Sequence, residues 1–184
     1  SSSIIIHQFS FLGKYRISIS GFILLRYNAR VSFLQIIYAS TSGHTEYVVS
    51  VLKDALKGAA LQITDCKAEA ATQEDLLKGE ILILGSGTWN TGGVEGQMNT
   101  HMVDLLQGRA KDIDLAGKPV AIIALGDDRY YYTCRAGERM RRFVLDHGGK
   151  ILGNTLLLVN EPYGQEERVR KWAEALLKKL KIEN

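Results

Sequence analysis

Hydroxyl side chains cluster at residues 38–46, between an apolar run at 33–37 and an amphipathic segment. Ser40, Thr41, Ser42 and Thr45 surround Gly43, with no lysine or arginine among them. The start of a helix directs backbone N–H groups and the positive end of the helix dipole at one point. With hydroxyl donors added, such a loop suits a phosphate group. The alternative is an ordinary helix start capped by Ser42 or Thr45.

Two further segments combine glycines with aromatic residues. The first, 85–93, contains Trp89 and starts like a dinucleotide-binding fingerprint, but Asn90 replaces its third glycine. The second, 126–134, contains three consecutive tyrosines, whose hydroxyl groups could not all find partners in a core. Trp89 could simply fold back onto the sheet; alternatively, Trp89 and one tyrosine enclose a planar ring. A planar ring together with a phosphate describes FMN.

From residue 33 onward, apolar runs alternate with amphipathic segments. Strands are predicted at 33–39, 61–65, 81–84, 120–125 and 155–159, and helices at 45–58, 73–77, 97–107, 135–147 and 165–181. This alternation indicates an α/β fold with a five-stranded parallel sheet and helices on both faces. Loops 40–45, 85–96 and 126–134 would follow strands one, three and four at the sheet edge where such folds bind ligands.

These three loops, in this order, resemble those of the flavodoxins, most closely the short-chain type, over residues 33–184. Ser40-Thr41-Ser42-Gly43-His44-Thr45-Glu46-Tyr47 is similar to the family's phosphate loop. Gly85-Ser86-Gly87-Thr88-Trp89 is similar to the loop whose tryptophan covers one face of the flavin. Gly126-Asp127, Tyr130, Tyr132 and Cys134 match the next loop, whose first tyrosine covers the other face. The resemblance implies a doubly wound flavodoxin-like sheet of order 2-1-3-4-5, and a last strand without an insertion fits the short-chain branch.

The resemblance also implies which residues contact FMN. They are Ser40, Thr41, Ser42, Gly43, His44, Thr45, Ser86, Gly87, Thr88, Trp89, Asn90, Thr91, Gly92, Leu125, Gly126, Asp127, Tyr130, Tyr132 and Cys134. Two of them depart from the family pattern: His44, where asparagine is commoner, and Asn90, where many short-chain members have glycine. In the family, the peptide after the tryptophan turns when the flavin takes up one electron, so residue 90 must tolerate a positive φ.

The implied function is that of a low-potential carrier that passes single electrons between redox partner proteins, as a monomer without catalytic residues of its own. Carboxylates at 95, 127, 128 and 161 are expected to lower the potential, and Arg129 to offset part of this effect. The alternative is an FMN-dependent NAD(P)H:quinone reductase-like enzyme. Such an enzyme needs a substrate cleft above the flavin, which Trp89 and Tyr130 would block. A phosphoacceptor regulator would need carboxylates after the first strand, which ends in Tyr38-Ala39-Ser40.

Composition excludes other classes. The 184-residue chain is 46% hydrophobic and 23% charged, as in a globular protein. Cys66 and Cys134 form no CxxC motif, so we expect no metal site, and a reducing compartment, the cytoplasm, fits best. No apolar run approaches the ~20 residues of a membrane span.

Charge is unevenly distributed along the chain. Residues 1–32 contain four basic and no acidic residues, so 33–184 have 19 basic and 20 acidic residues, a net charge of −1, although the whole chain is at +3. We therefore see no electrostatic reason to expect nucleic-acid binding. Arg135, Arg139, Arg141 and Arg142 make the fourth predicted helix basic, for which a solvent-exposed face is the simplest explanation.

Residues 1–32 show no sustained periodicity outside 17–25 and contain no methionine. Three interpretations of this segment are open: a transit-like presequence, a native N-terminal extension, or non-native sequence upstream of the true start. We favour the last interpretation. We therefore expect 1–32 to lie outside the core and 33–184 to form the FMN-binding domain.

Overall fold

The computed structural model of the protein describes residues 18–19, 22–23, 32–91 and 93–182. The chain divides into two units between Arg30 and Val31. In the first unit, β1 (Ser18–Ile19) and β2 (Phe22–Ile23) pair antiparallel. The other residues before Ser32 lie outside the described part, so their interpretation as an extension stays a prediction.

The second unit contains a sheet of order β4-β3-β5-β7-β8. Its strands are β3 (Ser32–Ala39), β4 (Leu61–Lys67), β5 (Ile81–Thr91), β6 (Val94–Met98), β7 (Pro119–Gly126), β8 (Lys150–Ile151) and β9 (Leu156–Val159). Both β8 and β9 pair parallel with β7, so together they form the predicted fifth strand. The predicted fold and the order 2-1-3-4-5 are confirmed. Only residues 152–155 separate β8 from β9, so this strand has no long insertion.

Helices cover both faces of the sheet. They are α1 (His44–Ala55), α2 (Gln73–Leu77), α3 (Thr100–Val103), α4 (Ala136–Asp146) and α5 (Glu166–Ile182). Ile36 packs in one apolar cluster with Leu52 of α1 and Val169 of α5, whereas Ile37 packs in the other with Met140 of α4. Successive strand residues point to opposite faces, which explains why the run in β3 is apolar throughout. No helix among the described residues is long and apolar enough to cross a bilayer.

The predicted glycine-rich loop at 85–96 is wrong, because this segment is largely a β-hairpin. β5 continues to Thr91, and β6 returns antiparallel to it. Gly85 lies within β5, where a Cβ would come 3.3 Å from both Tyr38 Cβ and Thr45 Cγ2. The glycine therefore reflects close packing against the neighbouring elements rather than a loop.

The predicted helix at 97–107 is shorter and less regular than expected. Residues up to Met98 belong to β6, and α3 starts at Thr100. Asn99 is its N-cap, and its Oδ1 accepts a hydrogen bond from the N–H of His101 at 3.1 Å. From Asp104 to Arg109 the chain is π-helical. Asparagine is a preferred N-cap residue, so Asn99 is a signal in the sequence for a helix that starts at Thr100 rather than at 97.

A chain that begins at Val31 should melt at nearly the same temperature as the full chain. β3 pairs with β4 from Ser32 onward, opposite Leu61, and its core residues belong to the second unit. Thermal unfolding of both chains, followed by circular dichroism, tests this expectation. A large fall in melting temperature would show instead that residues 1–30 stabilise the domain.

Candidate functional site

The segment 40–45 joins β3 to α1 and ends in an unusual helix start. Gly43 is the N-cap of α1, with a φ of 87°, and has no side chain of its own to cap the helix. Ser42 is exposed and Thr45 is buried in the first turn, so the expectation that one of them caps α1 does not hold. Ser40 Oγ accepts a hydrogen bond from the N–H of Glu46 at 3.3 Å. The start of α1 is therefore open to a ligand.

Asn99 connects this loop to the β5–β6 hairpin, although it was not among the predicted site residues. Its Nδ2 donates a hydrogen bond to Thr41 Oγ1 at 2.8 Å, and its N–H donates to Ser86 Oγ at 3.0 Å. Ser86 is fully buried, and its hydroxyl donates to the carbonyl of Gly87 at 2.9 Å. Ser86 is thus an internal support rather than a side chain facing the site, and Asn99 positions Thr41.

The hairpin carries Trp89 and a β-bulge. Trp89 lies opposite Gln97 and Thr91 opposite Val94, so Asn90 faces both Glu95 and Gly96. Gly96 has a φ of 75°, as expected of a bulge glycine. A Cβ there would lie 2.8 Å from Tyr132 Cβ, so this glycine allows the third loop to pack closely against the hairpin.

Trp89 does not fold into the core. Its side chain is 40% exposed. Its Nε1 lies 3.0 Å from where a Cβ of Gly87 would be, so the indole lies against its own strand. The exposed indole is therefore available at the mouth of the site.

The three consecutive tyrosines have different surroundings. Tyr131 is 86% exposed and does not line the site. The guanidinium of Arg135 lies 4.1 Å from the centre of the Tyr132 ring. Tyr130 is 54% exposed, and within the described part of the chain neither a ring nor a cation packs on it. Of the three, Tyr130 is therefore the one that lines the cavity with neither a ring nor a cation of the described residues packed on it.

Asp127 and Arg129 form a closed ion pair in the third loop. Arg129 Nε donates to Asp127 Oδ1 at 2.9 Å and to Oδ2 at 3.0 Å, and its backbone N–H also donates to Oδ1 at 2.9 Å. The hydrogen bonds from Arg129 lower the pKa of Asp127 to about 2. Asp127 is therefore ionised at neutral pH, but its charge is balanced by its neighbour.

Asn160 holds the third loop next to the end of β9. Its φ is 67°, and its N–H donates to the carbonyl of Gly126 at 2.8 Å. Its Oδ1 accepts from the N–H of Asp128 at 3.1 Å, and its Nδ2 donates to Asp128 Oδ2 at 2.9 Å. Asparagine tolerates a positive φ better than most residues, which suits it to this position.

His44 connects the first loop to the segment after β9. Its Nε2 lies 3.1 Å from Glu161 Oε2, and its ring contacts Tyr163 edge-on at 5.8 Å between centroids. Tyr163 also packs on Tyr47, whose hydroxyl donates to Glu166. This hydrogen bond is the main reason that the pKa of Glu166 falls to about 2. The unusual histidine is thus part of a contact between α1 and the start of α5.

These segments surround one cavity of about 650 Å³. The predicted residues that line it are Ser40, Thr41, Ser42, His44, Thr45, Gly87, Thr88, Trp89, Asn90, Leu125, Gly126, Asp127, Tyr130 and Tyr132. Ala39, Gly96 and Asn160 also line it but were not anticipated, because their roles depend on contacts distant in sequence. All four carboxylates expected to influence the potential, at 95, 127, 128 and 161, line it as well.

Several predicted residues lie elsewhere. Gly43 and Ser86 are not part of the lining, although the backbone of Gly43 sets the start of α1. Cys134 is buried with a φ of 55°, and its Sγ donates to the carbonyl of Leu158 at 3.5 Å. Burial raises the pKa of this thiol, so Cys134 anchors the loop to β9 rather than facing the cavity. Gly92 and the side chain of Thr91 lie outside the described residues.

Comparisons with known proteins agree with this architecture. The family model described as flavodoxin matches residues 36–172. The chain is 26% identical over 133 residues to the probable flavodoxin 2 of Bacillus subtilis, covering 72% of this chain and 85% of that protein. It is 24% identical over 146 residues to the flavodoxin of Maridesulfovibrio salexigens, covering 79% and 97%.

A solved structure is similar over the same region. The oxidised flavodoxin 2 of Bacillus cereus superposes with a TM-score of 0.73 at 28% identity, covering 80% of this chain and 99% of that one. Nothing in these comparisons favours a quinone reductase. Because the family model spans most of its length, the chain belongs to the flavodoxin family, whose members bind FMN and act as electron carriers rather than enzymes.

Proposed function

We propose that the cavity binds one FMN with its phosphate at loop 40–45 and its ring between Trp89 and Tyr130. The observation that carries this proposal is that a helix start with a glycine N-cap and two exposed aromatic residues line or border the same cavity. Bound FMN supplies the one-electron chemistry, and the chain's own residues bind it and tune its potential.

The first loop fits a phosphate. The exposed hydroxyls of Thr41 and Ser42 line the cavity next to the N-terminal end of α1. Helix N–H groups and the helix dipole favour an anion there without a basic side chain. Arg129, which also lines the cavity, is already paired with Asp127. The loop therefore favours a phosphate through hydrogen bonds rather than through net charge.

The charges around the cavity support a reduction potential of the bound FMN that is low but not extreme. Anionic groups disfavour the addition of an electron to a nearby ring. Asp127 is balanced by Arg129, and Glu161 lies beside His44. Glu95 and Asp128 also line the cavity, and neither forms an ion pair within the described part of the chain. We infer that these two carboxylates contribute most to lowering the potential.

We further propose that the protein works as a monomer in the cytoplasm, between redox partner proteins. Both cysteines are free, and Cys134 is buried, as suits a reducing compartment. Sedimentation of the FMN-loaded protein tests the monomer, and a stable dimer would contradict it.

Binding of FMN compared with riboflavin tests the proposed site. Riboflavin has the same ring but no phosphate, so the purified apoprotein should bind it much more weakly. Titration followed by quenching of flavin fluorescence measures both affinities. Equal affinities would show that loop 40–45 does not hold a phosphate.

Tyr130→Ala should weaken FMN binding by at least about fivefold, because aromatic stacking adds on the order of 1 kcal/mol beyond burial. Tyr131→Ala is the matched control, since Tyr131 is exposed and does not line the cavity. Fluorescence titration measures both variants. A larger loss in Tyr131→Ala would refute the assignment of the stacking residue.

Asn90→Gly should raise the potential of the first one-electron reduction by roughly 40 mV. Asn90 has a negative φ here and lies opposite the bulge at Glu95 and Gly96, outside the regular ladder. If the peptide of residue 90 turns when the flavin is reduced, residue 90 takes a positive φ. Glycine then removes ~1 kcal/mol of backbone strain, which corresponds to a change in potential of roughly 40 mV for one electron. Spectroelectrochemistry measures the potential. An unchanged or lower value would contradict this account of residue 90.

A further inference from the structure

Four arginines accumulate along α4, and we call them the basic ridge: Arg135, Arg139, Arg141 and Arg142. The same segment contains only two carboxylates, at 138 and 146. Arg141 and Arg142 are exposed, and neither forms an ion pair with another described residue. Like charges three or four residues apart destabilise a helix, so the ridge is unfavourable unless something compensates it.

One end of the basic ridge is fixed at the cavity rim. Arg135 lies over the ring of Tyr132, and Arg139 Nε donates to the carbonyl of Gly96 at 2.7 Å. Tyr132 and Gly96 both line the cavity. These two contacts order the guanidinium groups without involving a carboxylate; Arg135 also forms a long ion pair, of 4.0 Å between its Nε and Oε2 of the exposed Glu138. Side chains that are already ordered lose less entropy when a partner binds.

The other end borders a second, smaller groove of about 230 Å³. Arg139 and Arg142 line it together with Lys111, which adds a further cation. The groove also contains one carboxylate, Asp146, and the imidazole of His147. Because Arg139 contacts the cavity rim and lines this groove, positive charge is continuous from one to the other.

Exposed apolar residues accompany the basic ridge. Val94 is 55% exposed in the hairpin, and the exposed ring of Tyr131 contacts that of Tyr132 edge-on. Tyrosine and arginine are enriched where protein interfaces derive most of their binding energy. The combination is therefore typical of a protein-binding surface.

We propose that the basic ridge, with Val94 and Tyr131, docks an acidic surface of a redox partner protein beside the cavity. This inference rests on the electron-carrier function and adds the chemistry of the partner. A protein fits better than a nucleic acid, because Glu95 and Asp128 line the adjacent cavity and residues 33–184 have a net charge of −1. These negative charges would repel a nucleic acid, which is a long polyanion. An acidic patch on a protein is compact and can contact the basic ridge alone.

Binding of a fluorescein-labelled decaglutamate peptide, measured by anisotropy, tests the surface directly. Arg141→Gln/Arg142→Gln should bind it about tenfold more weakly than the wild type at low salt. The matched control, Lys178→Gln/Lys179→Gln, removes two exposed adjacent cations from α5 and should bind it normally. The apoprotein should behave like the loaded protein, so the result does not depend on FMN binding. Equal losses in the two variants would overturn the proposal, as would tighter binding of a decathymidylate than of decaglutamate.

Electron transfer to small ions provides a second test. The reduced, FMN-loaded protein gives one electron to ferricyanide, reducing Fe(III) to Fe(II), or to hexaammineruthenium(III), reducing Ru(III) to Ru(II). In Arg141→Gln/Arg142→Gln, ferricyanide should react about threefold more slowly at low salt and the ruthenium complex faster, and both differences should vanish at high salt. Unchanged rates with both ions would show that the basic ridge does not influence the route of the electron.

Discussion

Gly126→Ala should lower the melting temperature by about 2–12 °C and severely weaken FMN binding. Gly126 ends β7, and a Cβ there would overlap the backbone nitrogen of Cys134 and lie 2.5 Å from Thr133 Oγ1. Overpacking of this kind costs about 1–3 kcal/mol, and a domain of this size loses about 2–4 °C per kcal/mol. The loop cannot easily move away, because Cys134 is anchored to Leu158 and the N–H of Ala136 donates to Thr88 Oγ1 at 3.1 Å.

Gly108→Ala provides the control for this substitution. Gly108 lies in the π-helical segment, its φ is not positive, and a Cβ there would meet nothing within 4 Å. Thermal unfolding and FMN titration of both variants separate overpacking from a general effect of replacing glycine. A Gly126→Ala protein that melts and binds FMN like the wild type would show that the third loop can rearrange at little cost.

Gly43→Val should abolish FMN binding because of the backbone conformation of Gly43, and not because the new side chain would clash. In the protein itself a Cβ on Gly43 would meet nothing within 4 Å, so the substitution makes no clash. The φ of 87° is the obstacle, because a β-branched residue resists the left-handed region. Valine would therefore reorient the start of α1 and place its side chain where we propose that the phosphate binds.

Gly58→Val is a close match for that substitution. Gly58 has a φ of 85° and equally open surroundings, but it lies beyond the end of α1 and does not line the cavity. Both variants should lose similar stability, of about 1–2 kcal/mol, and only Gly43→Val should lose FMN. Affinity for riboflavin, which has no phosphate, should be similar in the two variants. A comparable loss of FMN in Gly58→Val would mean that destabilisation, and not the phosphate loop, explains the effect.

The two glycines act through different physical effects. Gly126 is required because another part of the chain occupies the space of a side chain, whereas Gly43 is required because of its backbone conformation. Both lie at the carboxyl ends of parallel strands, Gly126 as the last residue of β7 and Gly43 in the segment after β3, where the fold gathers its ligand-binding residues. Sequence inspection alone does not distinguish these two kinds of glycine.

The amino-acid sequence by itself determined the α/β alternation, the order of the sheet through its family resemblance, and the three segments that surround the site. These features depend on local patterns: an apolar run such as β3 is buried on both faces, and a cluster of hydroxyls before an amphipathic helix marks a possible phosphate site. The same local patterns misassigned residues 85–96, because glycines that allow close packing in a strand look like loop glycines.

Only the tertiary structure decided which side chains face the cavity. Tyr130 has a free ring, whereas Arg135 packs on the ring of Tyr132, and the hydroxyl of the buried Ser86 accepts a hydrogen bond from the N–H of Asn99. The pairing of His44 with Glu161 joins residues more than one hundred positions apart. Such contacts leave no periodic signal in the sequence, since they arise only when the parallel strands bring the ends of distant loops to one edge of the sheet.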